Sequence, residues 1–194
     1  MSVALLIVAV TLAAPSPPEP PPPEELNDPG HFADLADEET RAKALFGEVA
    51  KVLLHPRCAN CHPATPRPLQ LDARRPHIPW VVRGKDGEGA PGLTCDTCHG
   101  ETNYLQQPGA PHWHLAPAEM AWVGKTPGEV CRQLKDPARN GGRTLEAVHQ
   151  HLAEDPLVAY GWRAPAHLQP APGSQKRLAA LFRAWIEAGA HCPQ

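Results

Sequence analysis

The chain has 194 residues, a net charge of −3, 25 prolines and only 5% aromatic residues. Because no basic patch is present, the composition excludes a protein that binds nucleic acid through its phosphates. Aromatic residues are scarce for one domain of ordinary size, which suggests that a bound apolar group completes the core.

The N-terminal region combines an apolar run with a proline-rich segment. Residues 3–14 are largely apolar and uncharged, as in the central part of a signal peptide, and they are too few to span a membrane. No Lys or Arg precedes the run, so a weak anchor is the alternative to cleavage. We predict a signal peptide or weak anchor at 1–14, a Pro-rich linker at 15–36 and one folded domain at 37–194.

The first predicted helix covers 38–54. Apolar side chains recur on one of its faces at helical spacing: Leu45, Phe46, Val49, Val52 and Leu53. Asp37 is placed to cap its start, and His55-Pro56 ends it because a residue before proline avoids the helical conformation.

Two C-x-x-C-H pentapeptides follow this helix. They are Cys58-Ala59-Asn60-Cys61-His62 and Cys95-Asp96-Thr97-Cys98-His99. This is the attachment motif of c-type haem: two thiols add to the vinyl groups on one porphyrin edge, and the adjacent histidine binds the iron. The motifs predict two haem c groups, covalently attached through Cys58, Cys61, Cys95 and Cys98, with His62 and His99 as the proximal iron ligands.

Two other uses of paired cysteines are less consistent with the sequence. A zinc site would take four thiolates, but 33 residues separate Cys61 from Cys95, whereas zinc ribbons have about 15–20. Zinc also requires no histidine directly after each pair. A thioredoxin-like dithiol is disfavoured because the motif is duplicated and no βαβ pattern surrounds it.

The C-terminal third predicts three more helices. Thr126-Pro127-Gly128-Glu129 is a capping box for a helix ending near Pro137, and Thr144 is placed to cap a second helix to Glu154. Ser174 is placed to cap the third, which has one apolar face (Leu178, Leu181, Phe182, Trp185) and ends before Gly189.

Two cysteines belong to neither haem motif. In an oxidising compartment, Cys131 and Cys192 most simply form a disulfide. Two free thiols and a contact with another chain are the alternatives.

Both ends of the domain resemble class I cytochrome c. In that family an amphipathic helix leads into C-x-x-C-H and crosses a C-terminal helix like the L-x-x-L-F-x-x-W-I-x-x-G-A segment here, often over a glycine, for which Gly47 is the candidate. The motifs start only 37 residues apart, too close for tandem domains. We therefore expect a mainly α fold: a class I frame enlarged to one merged dihaem domain, with long loops and no substantial sheet.

The resemblance also suggests sixth iron ligands. Met120 lies between a haem motif and the C-terminal helix, where class I cytochromes place their methionine ligand. His77 lies between the motifs, as in small dihaem nitrate-reductase subunits, and His114 and His112 are the alternatives. We place His149 nearer the apolar helix face than His151 and expect both to be surface residues.

The implied function is electron transfer. We expect a periplasmic dihaem cytochrome that carries electrons between a redox enzyme and a respiratory or soluble acceptor. The segment from Cys131 through Trp162 is similar to bacterial cytochromes labelled isoquinoline 1-oxidoreductase subunits, which implies a molybdenum hydroxylase as one possible partner. The alternative is a small peroxidase-like enzyme with one open haem iron. Membrane contact is expected only if the N-terminal segment is retained.

Overall fold

The computed structural model describes residues 24–194, so the predicted signal peptide and the first part of the linker lie outside the described residues. The expected mainly helical fold is confirmed. The helices are α1 (Glu38–Leu53), α2 (Pro56–Ala59), α3 (Pro127–Lys135), α4 (Leu145–Glu154), α5 (Pro156–Arg163) and α6 (Gln175–Glu187). Within 24–194, none of these helices has the length and apolarity that crossing a membrane requires.

The predicted helix starts are confirmed at the level of their capping bonds. The Asp37 side chain accepts a hydrogen bond from the Thr40 N–H of α1 at 2.7 Å, and Ser174 caps α6 in the same way. Thr126 and Glu129 form the reciprocal capping box of α3. Helix α5 was not predicted, although Asp155 followed by proline is a recognisable start signal.

Helices α1 and α6 cross to form the centre of the core. Phe46 packs on Trp185 with ring centroids 5.0 Å apart, and both side chains are fully buried. From the resemblance we expected Gly47 to lie at this crossing, but it does not. It is exposed, and a Cβ added there would meet no atom within 4 Å. The apolar stripe that α1 buries runs through Phe46 and Val49, so Gly47 falls on the opposite side.

The folded region begins earlier than the predicted boundary at residue 37. Leu26 and Phe32 are buried in the core. The backbone and side-chain nitrogens of Asn27 both donate to the Glu48 carboxylate of α1, each at 3.1 Å. Residues that follow the proline run therefore pack against α1 and are not part of an extended spacer.

A long stretch of loops lies between α2 and α3 and contains the second C-x-x-C-H motif. Its only strands are two small antiparallel hairpins, formed by β1 (Leu69–Gln70) with β2 (Arg75–Pro76) and by β3 (Gly89–Ala90) with β4 (Leu93–Thr94). The expectation of long loops and no substantial sheet is thus confirmed.

The predicted disulfide is present between Cys131 of α3 and Cys192, with Cα atoms 5.6 Å apart. It holds the C-terminal tail across the start of α3. A Cβ at Gly128 would lie 2.2 Å from the Pro193 carbonyl oxygen, so the close approach of the tail requires glycine.

Replacing Gly47 by alanine should stabilise the protein. The position is helical, exposed and free of contacts, so alanine should raise the free energy of unfolding by about 0.5–1 kcal/mol. Chemical denaturation measures the change. Gly128→Ala is the matched control and should destabilise, because its Cβ would clash with the tail; a loss of stability in Gly47→Ala would contradict the α1 packing described above.

Replacing Cys131 and Cys192 together by alanine should destabilise the fold. The disulfide closes a loop with a sequence separation of 61, and loss of such a bond costs about 2–4 kcal/mol. Thermal denaturation without reductant measures the difference, which should shrink when the wild type is reduced. Recovery of either cysteine as a free thiol from intact, unreduced protein would be evidence against the bond.

Candidate functional site

The first C-x-x-C-H motif forms a single helical turn at the end of α2. Pro56 starts α2 directly after α1, and the N–H groups of Cys61 and His62 donate to the carbonyls of Cys58 and Ala59 at 3.1 and 3.0 Å. This turn places both cysteines and His62 on the wall of one cavity of about 240 Å³. Leu53 of α1 and Leu178 of α6 line the same cavity, so the helix crossing supplies part of its apolar wall.

The His62 ring is held in one orientation by two contacts. Its Nδ1–H donates to the Met120 carbonyl at 2.8 Å, with the tautomer assigned from that acceptor, and the Trp122 ring stacks on it with centroids 3.4 Å apart. Burial lowers the pKa of His62 to about 3. The ring is therefore neutral, and its Nε2 is left to bind a metal.

The Met120 carbonyl lies on the Nδ1 side of His62, away from Nε2. The Met120 side chain is buried and lines the first cavity, while its carbonyl accepts the Nδ1 hydrogen bond. If Nε2 binds an iron, a distal ligand would have to lie beyond that iron. This geometry disfavours the predicted role of Met120 as the distal ligand. That prediction rested only on the position of Met120 between a haem motif and the C-terminal helix.

The second motif is built in the same way from different elements. Cys95–Thr97 form a 3₁₀ turn, and the His99 N–H donates to the Cys95 carbonyl at 2.9 Å. The His99 Nδ1–H donates to the Pro108 carbonyl at 2.7 Å, and Trp113 stacks on the ring with centroids 4.4 Å apart. Burial lowers the pKa of His99. Each motif histidine thus has one carbonyl acceptor and one stacked tryptophan.

His77 lies close to His99 in the second cavity. Both residues line this space of about 410 Å³, together with Cys95 and Cys98. Their ring centroids are 6.0 Å apart at 66°. The His77 Nδ1–H donates to the Pro79 carbonyl at 3.0 Å, so its Nε2 is also unused. Two imidazoles bonded to one metal from opposite sides, each at about 2 Å, have ring centres about 6 Å apart.

The remaining candidate histidines differ in whether they line a cavity. His114 lines both cavities, and its Nδ1–H donates to the His112 carbonyl at 2.5 Å. His112 itself is exposed and lines neither cavity. His149 contacts Arg183 and Phe182, whereas His151 lines the first cavity. His149 thus lies on the more buried side, as expected, with its side chain 18% exposed, whereas His151 is 33% exposed but also lines the first cavity, which the sequence did not indicate.

The two cavities adjoin each other. Five residues line both of them: Arg57, Cys61, His114, Leu115 and Tyr160. Cys61 belongs to the first motif but also faces the second cavity. Burial raises the pKa of Cys61 to about 11 and that of Cys58 to about 12, so both thiols are neutral.

The cavity linings fit a group with an apolar body and negative charges. Most of the wall surface is apolar, and leucine, valine and proline are frequent among the lining residues. Arg57 Nε and Trp122 Nε1 are buried donors that find no hydrogen-bond acceptor within residues 24–194. Haem carries an apolar ring and two carboxylates, which match the apolar walls and the unpaired donors.

The four motif cysteines do not meet at one point in this structure. Nowhere in the described part of the chain do three or more His, Cys, Asp or Glu side chains form a group able to hold a metal ion. Instead, the two cysteines and the histidine of each motif line a common cavity, and His77 lies beside His99. Sequence reasoning found these residues but missed Trp113 and Trp122, because nothing in the chain order relates either tryptophan to a motif histidine.

None of the protein-family models matches the chain, and no curated protein or solved structure is significantly similar to it. The argument for function therefore rests on the motifs and on the geometry around them.

Proposed function

We propose that this protein is an exported dihaem c-type cytochrome that transfers electrons between redox proteins. The observation that carries the proposal is the environment of the two motif histidines. Each ring lies beside its own cysteine pair, stacks on a tryptophan and donates Nδ1–H to a backbone carbonyl, which leaves Nε2 for iron. Export follows from the proposal, since haem c is attached outside the cytoplasm.

The protein would contribute attachment, orientation and exclusion of water. When bound, each haem would supply a one-electron iron couple. Cys58 and Cys61 are placed to attach the first group, and Cys95 and Cys98 the second. Arg57 lines both cavities with its side chain 2% exposed; it forms an ion pair with Asp72, and its Nε–H, which has no acceptor among the described residues, would be left to donate to a carboxylate of either group.

Two features favour an electron carrier over an enzyme with an open iron. His77 is positioned to complete the coordination of the iron held by His99, which would leave no free position there. The adjoining cavities place the two sites side by side, as exchange of electrons between them requires.

The second site is the better candidate for contact with a redox partner. Cys98 is exposed, and the side chains of Ile78 and Trp80 are 73% and 69% exposed. The first site lies against the core, where the buried residues Leu53 of α1 and Leu178 of α6 line its cavity. A redox protein that docks beside the second site would therefore reach a haem edge without displacing the core.

The holoprotein should contain two covalent haems per chain. The pyridine haemochrome spectrum and the intact mass of exported protein measure this number. Replacing Cys58 and Cys61 by alanine should leave one haem, and so should replacing Cys95 and Cys98, because each cavity has its own pair. The control that lacks Cys131 and Cys192 should retain both. A wild type with zinc or without covalent haem would disprove the proposal.

Replacing His77 by alanine should remove the sixth ligand from one of the two irons. The oxidised spectrum should then show about half of the haem as high-spin, and that half should bind carbon monoxide when reduced, since an open position is left. His112→Ala is the control and should change neither property. If His114→Ala gives this result and His77→Ala does not, His114 is the ligand.

A further inference from the structure

The first cavity contains His62 on one wall and requires a second ligand to complete an iron site there. Met120 cannot reach the required position while its carbonyl accepts the His62 hydrogen bond. From standard bond lengths, a sulfur beyond the iron would lie about 9 Å from that carbonyl oxygen, and a methionine sulfur reaches only about 6 Å from its own carbonyl oxygen. The other imidazoles in the lining are His114 and His151.

His151 is held by an anchored carboxylate. Its Nδ1–H donates to Asp155 Oδ2 at 3.0 Å, and Asp155 Oδ1 caps α5 by accepting from the Leu157 N–H at 2.8 Å. The Nε2 atom of His151 is therefore free. A histidine bonded through one nitrogen to a carboxylate is a common arrangement for metal ligands, because the carboxylate sets the tautomer and the ring orientation.

The position of α4 directs His151 into the cavity. Val148 and Leu152 on the same helix are buried and line the same space. Burial lowers the pKa of His151 even though the Asp155 carboxylate raises it, so the ring is neutral near pH 7. His62 lines the same cavity, so the two imidazoles face one space.

His114 belongs to a loop that runs along the first motif. The Ala116 N–H donates to the Cys61 carbonyl at 3.0 Å, and the Trp122 N–H donates to the His62 carbonyl at 2.9 Å. This loop therefore follows the motif on the side that also contains Met120. His151 also lines the first cavity, but it comes from a separate element, α4, and not from the loop that is hydrogen-bonded to the motif.

We infer that His151 is the sixth ligand of the iron held by His62, and that Asp155 positions it. The inference rests on the proposed function and adds a ligand to it. Both irons would then have two histidine ligands and no sulfur ligand. Because histidine in place of methionine lowers the potential, both haems should have lower potentials than a haem with one methionine ligand.

Spectroscopy of the two-haem protein tests this ligand directly. The oxidised wild type should show two low-spin haems and no weak far-red sulfur-to-iron band. His151→Ala should convert one haem to high-spin. His151→Met should create the far-red band and raise one potential, and it retains a ligand of similar reach if the alanine variant folds poorly. His149→Ala, two residues earlier on α4, is the control and should leave both haems low-spin.

Three results would overturn the inference. One is a far-red band in the wild type that disappears in Met120→Leu. Another is a His151→Ala protein in which both haems remain low-spin. The third is a high-spin haem in both His77→Ala and His114→Ala but not in His151→Ala, which would make His114 the ligand of the iron held by His62. These results leave the proposed function standing, because two haems are still attached. A chain without covalent haem overturns both.

The role of Asp155 is tested by its charge. Asp155→Asn keeps an oxygen able to cap α5 but removes the negative acceptor of His151, so one potential should rise while both haems remain low-spin. Glu154→Gln removes an equal charge from the neighbouring exposed residue and is the control. Equal shifts in the two variants would show that Asp155 acts only through its charge and does not position His151.

Discussion

The crossing of α1 and α6 is the contact on which the other parts of this structure depend. Phe46 and Trp185 meet there, fully buried, and hold α1 against α6. Since only two residues separate the end of α1 from the start of α2, the placement of α1 also places the first C-x-x-C-H turn. The same crossing places Leu178 of α6 in the wall of the first cavity. The packing of the two terminal helices therefore also forms part of the first site.

Within that arrangement, a backbone carbonyl controls the chemistry of each motif histidine. A buried imidazole with an accepted Nδ1–H has one tautomer and one free nitrogen, and burial keeps it neutral. The partners are the Met120 carbonyl for His62 and the Pro108 carbonyl for His99. The hydrogen-bond acceptor is a backbone atom in both sites, whereas the stacked ring is a tryptophan side chain, Trp122 or Trp113. The two sites thus share one design although one is built on a helix and the other on loops.

Several sequence-based predictions changed once the fold was known, and the reasons are physical. Met120 stands where class I cytochromes place a ligand, but its backbone lies at the wrong end of His62. Gly47 resembles a crossing glycine, but the apolar stripe of α1 turns it outward. His151 is partly exposed, as expected, but it also lines the first cavity, and helical spacing gives the direction of a side chain without showing the space beside it. In each case the sequence did not show where the neighbouring helix or loop would pack.

The sequence by itself determined the two C-x-x-C-H motifs, the helix caps, the disulfide partners and the mainly helical class. These follow from short-range patterns, because a C-x-x-C-H turn, a capping box or an apolar stripe is complete within a few residues. Only the tertiary structure decided which histidines face each motif, which tryptophans stack on them and that the two cavities adjoin. Those relations join residues as far apart as His62 and Trp122, and no local preference of the chain specifies such a distance.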